Sequence, residues 1–579
     1  MKTLQALVAP PPPAQQESTP ARNSTPQPPG VARAHSHPQR RLRKTALRSV
    51  ITTAMTIAAV GLPGSAAASD EGMTVRSEES ARIDAWVEDA MAARDVPGTA
   101  VAVVRDGEVT HLAGYGAADD SDRVVRPETP FILGSVSKPF TAVVVAQLVD
   151  EGLLTWDEPV WPHLSHLVDE RPEGFETVTV EQLLTHTGGL SMTVGTAGTV
   201  TIHQGPDALD RRVDELLSHP LASEPGETFT YSNAGFMLLA SVIEQVTGRA
   251  FAAELDARVF KPLNMTGSFA SGTDARRADM ASGHQQWFGQ WRPVDLPYDD
   301  AGVAMGYIVS TASDLVKFMQ AHLDGHPTIP ATAADIANGT VTPTGWTTPL
   351  DAGYGHGWFV DEIAGRPIVS HPGSLGHFTA HILLAPGPDD LGIAVLSNAS
   401  SFLAGHEAQY DLGLGLTRVM LGEQPQPVGP SLLTPIVVPV FAWSVVAVLI
   451  GLVLRYLVRL RSRGLPTPKG RGPRQWLRSL IPGIAYLAVG AGLLTAAPLG
   501  LARHFYPDGG WAVTVIAYLA TFWGAVRLVI GLSALRSQGV ERVKQPMQTI
   551  SDERSPDHPS APSASQRAEQ INSEIRLNR

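Results

Sequence analysis

Gly134-Ser135-Val136-Ser137-Lys138-Pro139-Phe140 sets a serine and a lysine three residues apart, the spacing that puts two side chains on one face of a helix. An apolar stripe follows at Phe140, Val143, Val144, Leu148 and Val149, and Gly152 ends it. The spacing predicts a helix of about four turns packed into a core. Ser135 then lies at the helix N-terminus, where free backbone N–H groups and the helix dipole favour negative charge. Pro139 is tolerated there because first-turn N–H groups lack helical partners anyway. The arrangement suits a serine nucleophile whose proton passes to a lysine. Taken alone, the spacing is a weak signal that reads first as a capped helix with a surface lysine, since S-x-x-K occurs by chance in many helices.

Two later stretches change the balance. Tyr231-Ser232-Asn233 lies within the run Pro225 to Phe236, and His371-Pro372-Gly373-Ser374 follows further on. S-x-x-K, then Y-x-N, then a [K/H]-x-G triplet, in that order, resembles the serine β-lactamase and penicillin-binding protein family, and within it the class C β-lactamase, DD-peptidase and esterase branch. The resemblance runs from about Ile83 to Val419. Supporting phrases stand in the expected order: Leu183 to Leu190, Tyr354-Gly355-His356-Gly357-Trp358, and Leu391 to Asn398.

The resemblance implies a serine hydrolase that works through an acyl-enzyme on an ester or amide, which the apolar C-terminal spans would anchor in a membrane. Esterase, D-amino-acid peptidase and β-lactamase chemistry are all within its range. Ser135, Lys138 and Tyr231 would be catalytic. Asn233, His371, Gly373 and Ser374 would bind substrate, with the oxyanion held by the N–H groups of Ser135 and Ser374. No cofactor or metal is implied, and the substrate would be a small molecule or peptide, cell-wall material included. One departure is His371, where β-lactamases usually carry lysine. A histidine near its ordinary pKa is mostly neutral at pH 7, so a fixed charge for a substrate carboxylate is missing. A reading from another class is a receptor, acylated or merely ligand-binding, that signals through membrane helices; turnover separates the two. An α/β-hydrolase would need a G-x-S-x-G elbow, which we do not find.

The chain has 579 residues, more than one ordinary domain needs, and no cysteine, which excludes disulfides and thiolate metal sites. Net charge is −12, and thirteen basic residues sit in Arg40–Arg48 and Arg455–Arg478, leaving about −25 for the rest. So acidic a body argues against a nucleic-acid partner. His163, His166 and His203 match no metal-binding pattern, and there is no H-E-x-x-H.

The expected organisation has five parts. Residues 1–69 are a disordered Pro-rich start and a signal peptide: a basic run, an apolar run from Val50 to Leu62, and small residues for cleavage near Ala68. An uncleaved anchor is the alternative, although the apolar run is short for a span. Residues 70–421 form the hydrolase domain. Residues 422–432 are a proline-rich linker. Residues 433–535 hold three spans, Leu433–Leu454, Leu480–Leu501 and Trp511–Leu535. Residues 536–579 are a disordered tail. Eight basic residues between the first two spans place that loop in the cytoplasm, so the catalytic domain is expected outside a multi-pass membrane protein.

Within the hydrolase domain we expect an α/β sandwich: an antiparallel sheet of about five strands built from both ends of the domain, helices on both faces, and a helical subdomain between. An amphipathic helix over about Ser77–Ala93 opens it. Asp106-Gly107 turns a hairpin between Thr99 and Leu112, and Gly387 to Asp390 turns another between Phe378 and Ser397. Thr179 and Gln182 form a capping box. Tyr231-Ser232-Asn233 opens a helix ending at Gly248, where Asn233 could be no more than a cap. Pro372 cannot donate to a ladder, so the His371 strand is expected at an edge. His186, beside its helix, tempts a triad assignment but is expected to support the fold.

Overall fold

The computed structural model describes residues 67–168, 170–197, 201–330, 353–400, 410–424, 433–463, 474–496, 499–552 and 564–565. Helix α1 spans Ala67–Arg94, beginning earlier than the expected Ser77. The basic and apolar runs expected as a signal segment, and the linker from residue 425 on, lie outside the described residues.

The Asp106-Gly107 turn forms as expected. Both residues have positive φ, 51° and 75°, and join β1 (Gly98–Arg105) to β2 (Glu108–Gly116). Paired positive-φ residues match the right-handed strand twist that a two-residue hairpin needs. The small hairpin β3 (Gly283–Trp287) and β4 (Gln290–Val294) comes next. Then follow β5 (Gly353–Gly355), β6 (Trp358–Ile363), β7 (Arg366–Ser374), β8 (Thr379–Ala385), β9 (Leu391–Ser397) and β10 (Ala399–Ser400). The main sheet has the order β2-β1-β9-β8-β7-β6-β5 with every pairing antiparallel. The two ends of the domain therefore do build one antiparallel sheet. It has seven strands rather than about five, because β5 and β6 extend it beyond β7.

That extension corrects the placement of the His371 strand. β7 is interior along Arg366–Ser370, where β6 pairs with it, but the β6 ladder stops at Phe359 opposite Ser370. Only β8 pairs with residues 371–374. Pro372 is thus accommodated on a locally open edge, in line with its missing donor.

Helices cover both faces. On one, Ile83, Val87 and Met91 of α1 pack with Val101, Val103, Leu383, Ile393 and Val395. On the other, the helix Ala312–Leu323 lies on β1 and β9, and Phe140, Val143 and Val144 of α2 (Ser137–Asp150) share one core with its Leu315 and Met319 and with the opposite-facing Ala102, Ile382 and Leu396. Both sheet faces are buried, so these strands read as nearly continuous apolar runs. α3 (Val180–Leu184) carries the expected capping box of Thr179 and Gln182. α4 (Met192–Ala197), α5 (Asn233–Thr247) and α6 (Ala312–Leu323) follow. α5 ends as expected at Gly248, with φ 68°.

The C-terminal part begins with α7 (Val438–Arg463), α8 (Arg474–Ala496), the short α9 (Leu499–Phe505) and α10 (Pro507–Asp552). Among the described residues two segments are long and apolar enough to cross a membrane: Pro435–Arg459 and Pro507–Ser533, with mean hydropathy 2.7 and 1.8. The apolar part of α8, Leu480–Thr495, is shorter than a full span, so the expected count of three is not met by length and composition. α10 continues as helix to Asp552, past Leu535, so the first part of the expected disordered tail is helical.

Candidate active site

A 3₁₀ turn, Gly134–Val136, delivers Ser135 to the start of α2. Gly134 takes φ 55°, and a side chain there would strike the Ser374 backbone nitrogen at 2.5 Å. A side chain on Gly373 would overlap the Leu133 carbonyl. Two glycines thus let the serine turn and the end of β7 approach backbone to backbone.

Lys138 is fully buried. Its Nζ lies 3.0 Å from Ser135 Oγ and donates to Asn233 Oδ1 and to the Met305 carbonyl, each at 2.8 Å. The last two can only accept, which fixes the directions of two N–H bonds and aims the third position at Ser135. Burial holds the lysine pKa well below its ordinary value. The Tyr231 hydroxyl is hydrogen-bonded to Ser135, and burial pushes its pKa upward. Its ring centroid lies 5.0 Å from Lys138 Nζ. Asn233 heads α5 but makes no side-chain cap; Ser232 occupies that position, and the Asn233 amide is spent on Lys138.

Ser374 completes the cluster through its backbone. Leu375 N–H bonds to the Phe378 carbonyl, and Ser374 sits opposite Thr379. Hydrogen-bonded and non-bonded pairs alternate along an antiparallel ladder, so the Ser374 N–H turns away from β8, toward the open edge beside Gly134. The Ser374 hydroxyl is engaged with Ser400 Oγ at 3.0 Å.

His371 is placed differently from a residue that lines open cleft. It is 1% exposed. Its Nδ1–H donates to the Pro372 carbonyl at 2.7 Å, and Nε2 accepts from the Tyr354 hydroxyl at 3.1 Å. Burial, with Lys138 nearby, holds its pKa well below the ordinary range, so the ring is neutral. It stands behind Tyr231, ring centroids 6.3 Å apart.

His186 lies against the same tyrosine, ring centroids 4.3 Å apart, and its Nδ1 accepts the Ser232 N–H at 3.2 Å. Burial lowers its pKa too. It therefore supports the Y-x-N loop and does not reach Ser135. The Met305 carbonyl and Tyr354 escaped the sequence reading as site members. The first acts through backbone and has no sequence signature; the second lay within the quoted phrase at Tyr354–Trp358. The described residues hold no group of three or more His, Cys, Asp or Glu that could bind a metal.

Comparison with known proteins places the chain in a family. The family model described as Beta-lactamase matches residues 83–415. "Penicillin-binding protein 4" of Amycolatopsis lactamdurans is 32% identical over 323 residues, covering 53% of this chain and 83% of that protein. "Protein flp" of Staphylococcus aureus (strain NCTC 8325 / PS 47) is 27% identical over 330 residues, covering 56% of this chain and 64% of its own length, just under two thirds. Among solved structures, the octameric penicillin-binding protein homologue from Pyrococcus abyssi superposes with a TM-score of 0.53 at 27% identity, covering 61% of this chain and 79% of that one.

Proposed function

The chain belongs to the Beta-lactamase family, and on that premise we propose that it is a membrane-anchored, extracytoplasmic serine hydrolase that turns over uncharged esters or amides through an acyl-enzyme on Ser135. The observation that carries the proposal is Lys138: fully buried, its pKa depressed, its third position aimed at Ser135 Oγ 3.0 Å away. As a neutral amine it keeps two N–H bonds on Asn233 and Met305 and offers its lone pair to the Ser135 proton. The freed oxygen attacks the substrate carbonyl carbon, and the carbonyl electrons move to oxygen. The N–H groups of Ser135 and Ser374 receive that charge, one such donor being worth about 3–4 kcal/mol of barrier. Tyr231, held as a protonated phenol by burial, hands a proton to the leaving group and takes back the proton that Lys138 received from Ser135. Water then releases the acyl group by the reverse order of proton transfers.

The preference for uncharged substrates follows from His371, Lys138 and His186, all held neutral by burial. A substrate carboxylate finds no fixed cation among them. Two apolar helices support the membrane anchor. The basic run Arg455–Arg478 supports a cytoplasmic loop and an outside catalytic domain. If α8 also crosses, α9 falls on the same side as that domain, which it touches through Gln285.

The test is turnover by the full chain in intact cells, using membrane-impermeant short esters, D-amino-acid amides and a cephalosporin. Esters or amides should turn over without lysis, and the cephalosporin poorly at pH 7. Turnover only after lysis would contradict the topology. Efficient cephalosporin hydrolysis at pH 8, where His371 is neutral, would contradict the charge argument.

A further inference from the structure

α9, the short helix between α8 and α10, lies against the catalytic domain at the end of the oxyanion strand. The His504 ring packs on Gly376, two residues beyond Ser374, and a side chain at Gly376 would meet His504 Nε2 at 2.8 Å and the His504 carbonyl at 3.0 Å. The same carbonyl accepts a hydrogen bond from Gln285 Nε2 on β3. On its other side α9 touches α4. α4 in turn closes on the Y-x-N loop: a side chain at Gly195 would meet the Asn233 backbone nitrogen at 2.7 Å. The two partners of α9 thus belong to opposite walls of the catalytic cluster, one carrying Ser374 and the other backing Asn233.

The position is held from both directions. Asp508, just after α9 and 1% exposed, accepts the Phe288 N–H at 2.7 Å, and its carbonyl accepts from Trp443 Nε1 at 3.0 Å. At its other end the β3–β4 hairpin is tied to the site. The His284 N–H bonds to the His377 and Asn398 carbonyls, and β3 pairs with β10, whose Ser400 holds the Ser374 hydroxyl.

We infer that α9 is a specificity wall of the cleft, contributed by the membrane part of the chain, that stops the acyl group of the substrate at His504. The inference rests on the hydrolase reading above. Gly376 is two residues beyond Ser374, so an acyl group that extends from the oxyanion position toward the end of β7 meets His504 there. The substrates selected are short-chain acyl esters or amides.

The experiment uses the full chain in detergent or nanodiscs with p-nitrophenyl acetate, butyrate and octanoate, and reads kcat/KM for each. The parent should lose efficiency steeply from acetate to octanoate. His504→Ala should raise the octanoate-to-acetate ratio about tenfold or more, and His504→Gln should return it toward the parent. Labelling of Ser135 by a small fluorophosphonate in each protein reports that the site is folded. An unchanged ratio in a labelled His504→Ala protein would overturn the inference. So would a parent that already prefers octanoate, whether or not the variant folds. A parent in which Ser135 takes no label and no ester turns over would overturn the hydrolase reading and this inference with it.

Discussion

At the scale of single residues, burial divides the labour between Lys138 and Tyr231. Both are desolvated, but desolvation disfavours the charged form of each, pulling the lysine down and the tyrosine up. In the proposed mechanism the lysine is the base and the tyrosine the donor. Lys138→Ala and Tyr231→Phe should each lower kcat by on the order of 100-fold or more. The pH profile should follow the lysine. Its folded pKa is depressed, so activity is present above that value and is lost as pH falls through it. A kcat/KM profile that rises only above pH 10, where an ordinary lysine loses its proton, would contradict the assignment. The clustering of Ser135, Lys138, Tyr231 and Asn233 was legible in the sequence because their motifs keep each residue beside a helix start. The burial of His371 was not, because it depends on Tyr354 and Phe359, brought alongside by β5 and β6.

At the scale of elements, the proposed oxyanion site depends on β7 meeting the serine turn with no side chain between. Gly373→Ala would drive a methyl into the Leu133 carbonyl and push the Ser374 N–H off its position. The expected result is a protein that folds and binds but whose kcat falls by about 100- to 1000-fold, the usual cost of losing one oxyanion donor. Unaltered kcat in this variant would place the oxyanion elsewhere. The helices and both hairpins were readable from apolar periodicity and turn residues. β5 and β6 were not: β5, Gly353–Gly355, carries two glycines, and β6 carries Asp361-Glu362, which hides its alternation. The edge argument for Pro372 held only for the last four residues of β7, since strand order is a tertiary property that a single proline cannot report.

At the scale of the whole molecule, a domain without disulfides depends on its core, and that core contains several neutral histidines. His322 and His381 have pKa values lowered to about 4 and His377 to about 3, each by burial. In the unfolded chain they take up protons below about 6.5. Stability is therefore full above that value and is lost as pH falls from about 6.5 toward the folded values, by up to about 1.4 kcal/mol per pH unit for each histidine. Thermal denaturation of the full chain should show Tm falling steeply between pH 6.5 and 4. A Tm flat across that range would mean these side chains are hydrated or paired. The two helices long and apolar enough to cross a membrane were legible as apolar length. The docking of α9 on the catalytic domain was not, because it rests on backbone carbonyls and on glycines that make room for them.

The central claim is that Ser135 is the nucleophile, and covalent labelling tests it most directly. Ser137 is buried, with its hydroxyl accepting the Ile308 N–H, and the Ser374 hydroxyl is tied to Ser400, so neither competes. A fluorophosphonate probe applied to the full chain, followed by peptide mapping, should place one label on Ser135, absent from Ser135→Ala. Label on Ser137 or Ser374, or turnover that survives Ser135→Ala, would contradict the account.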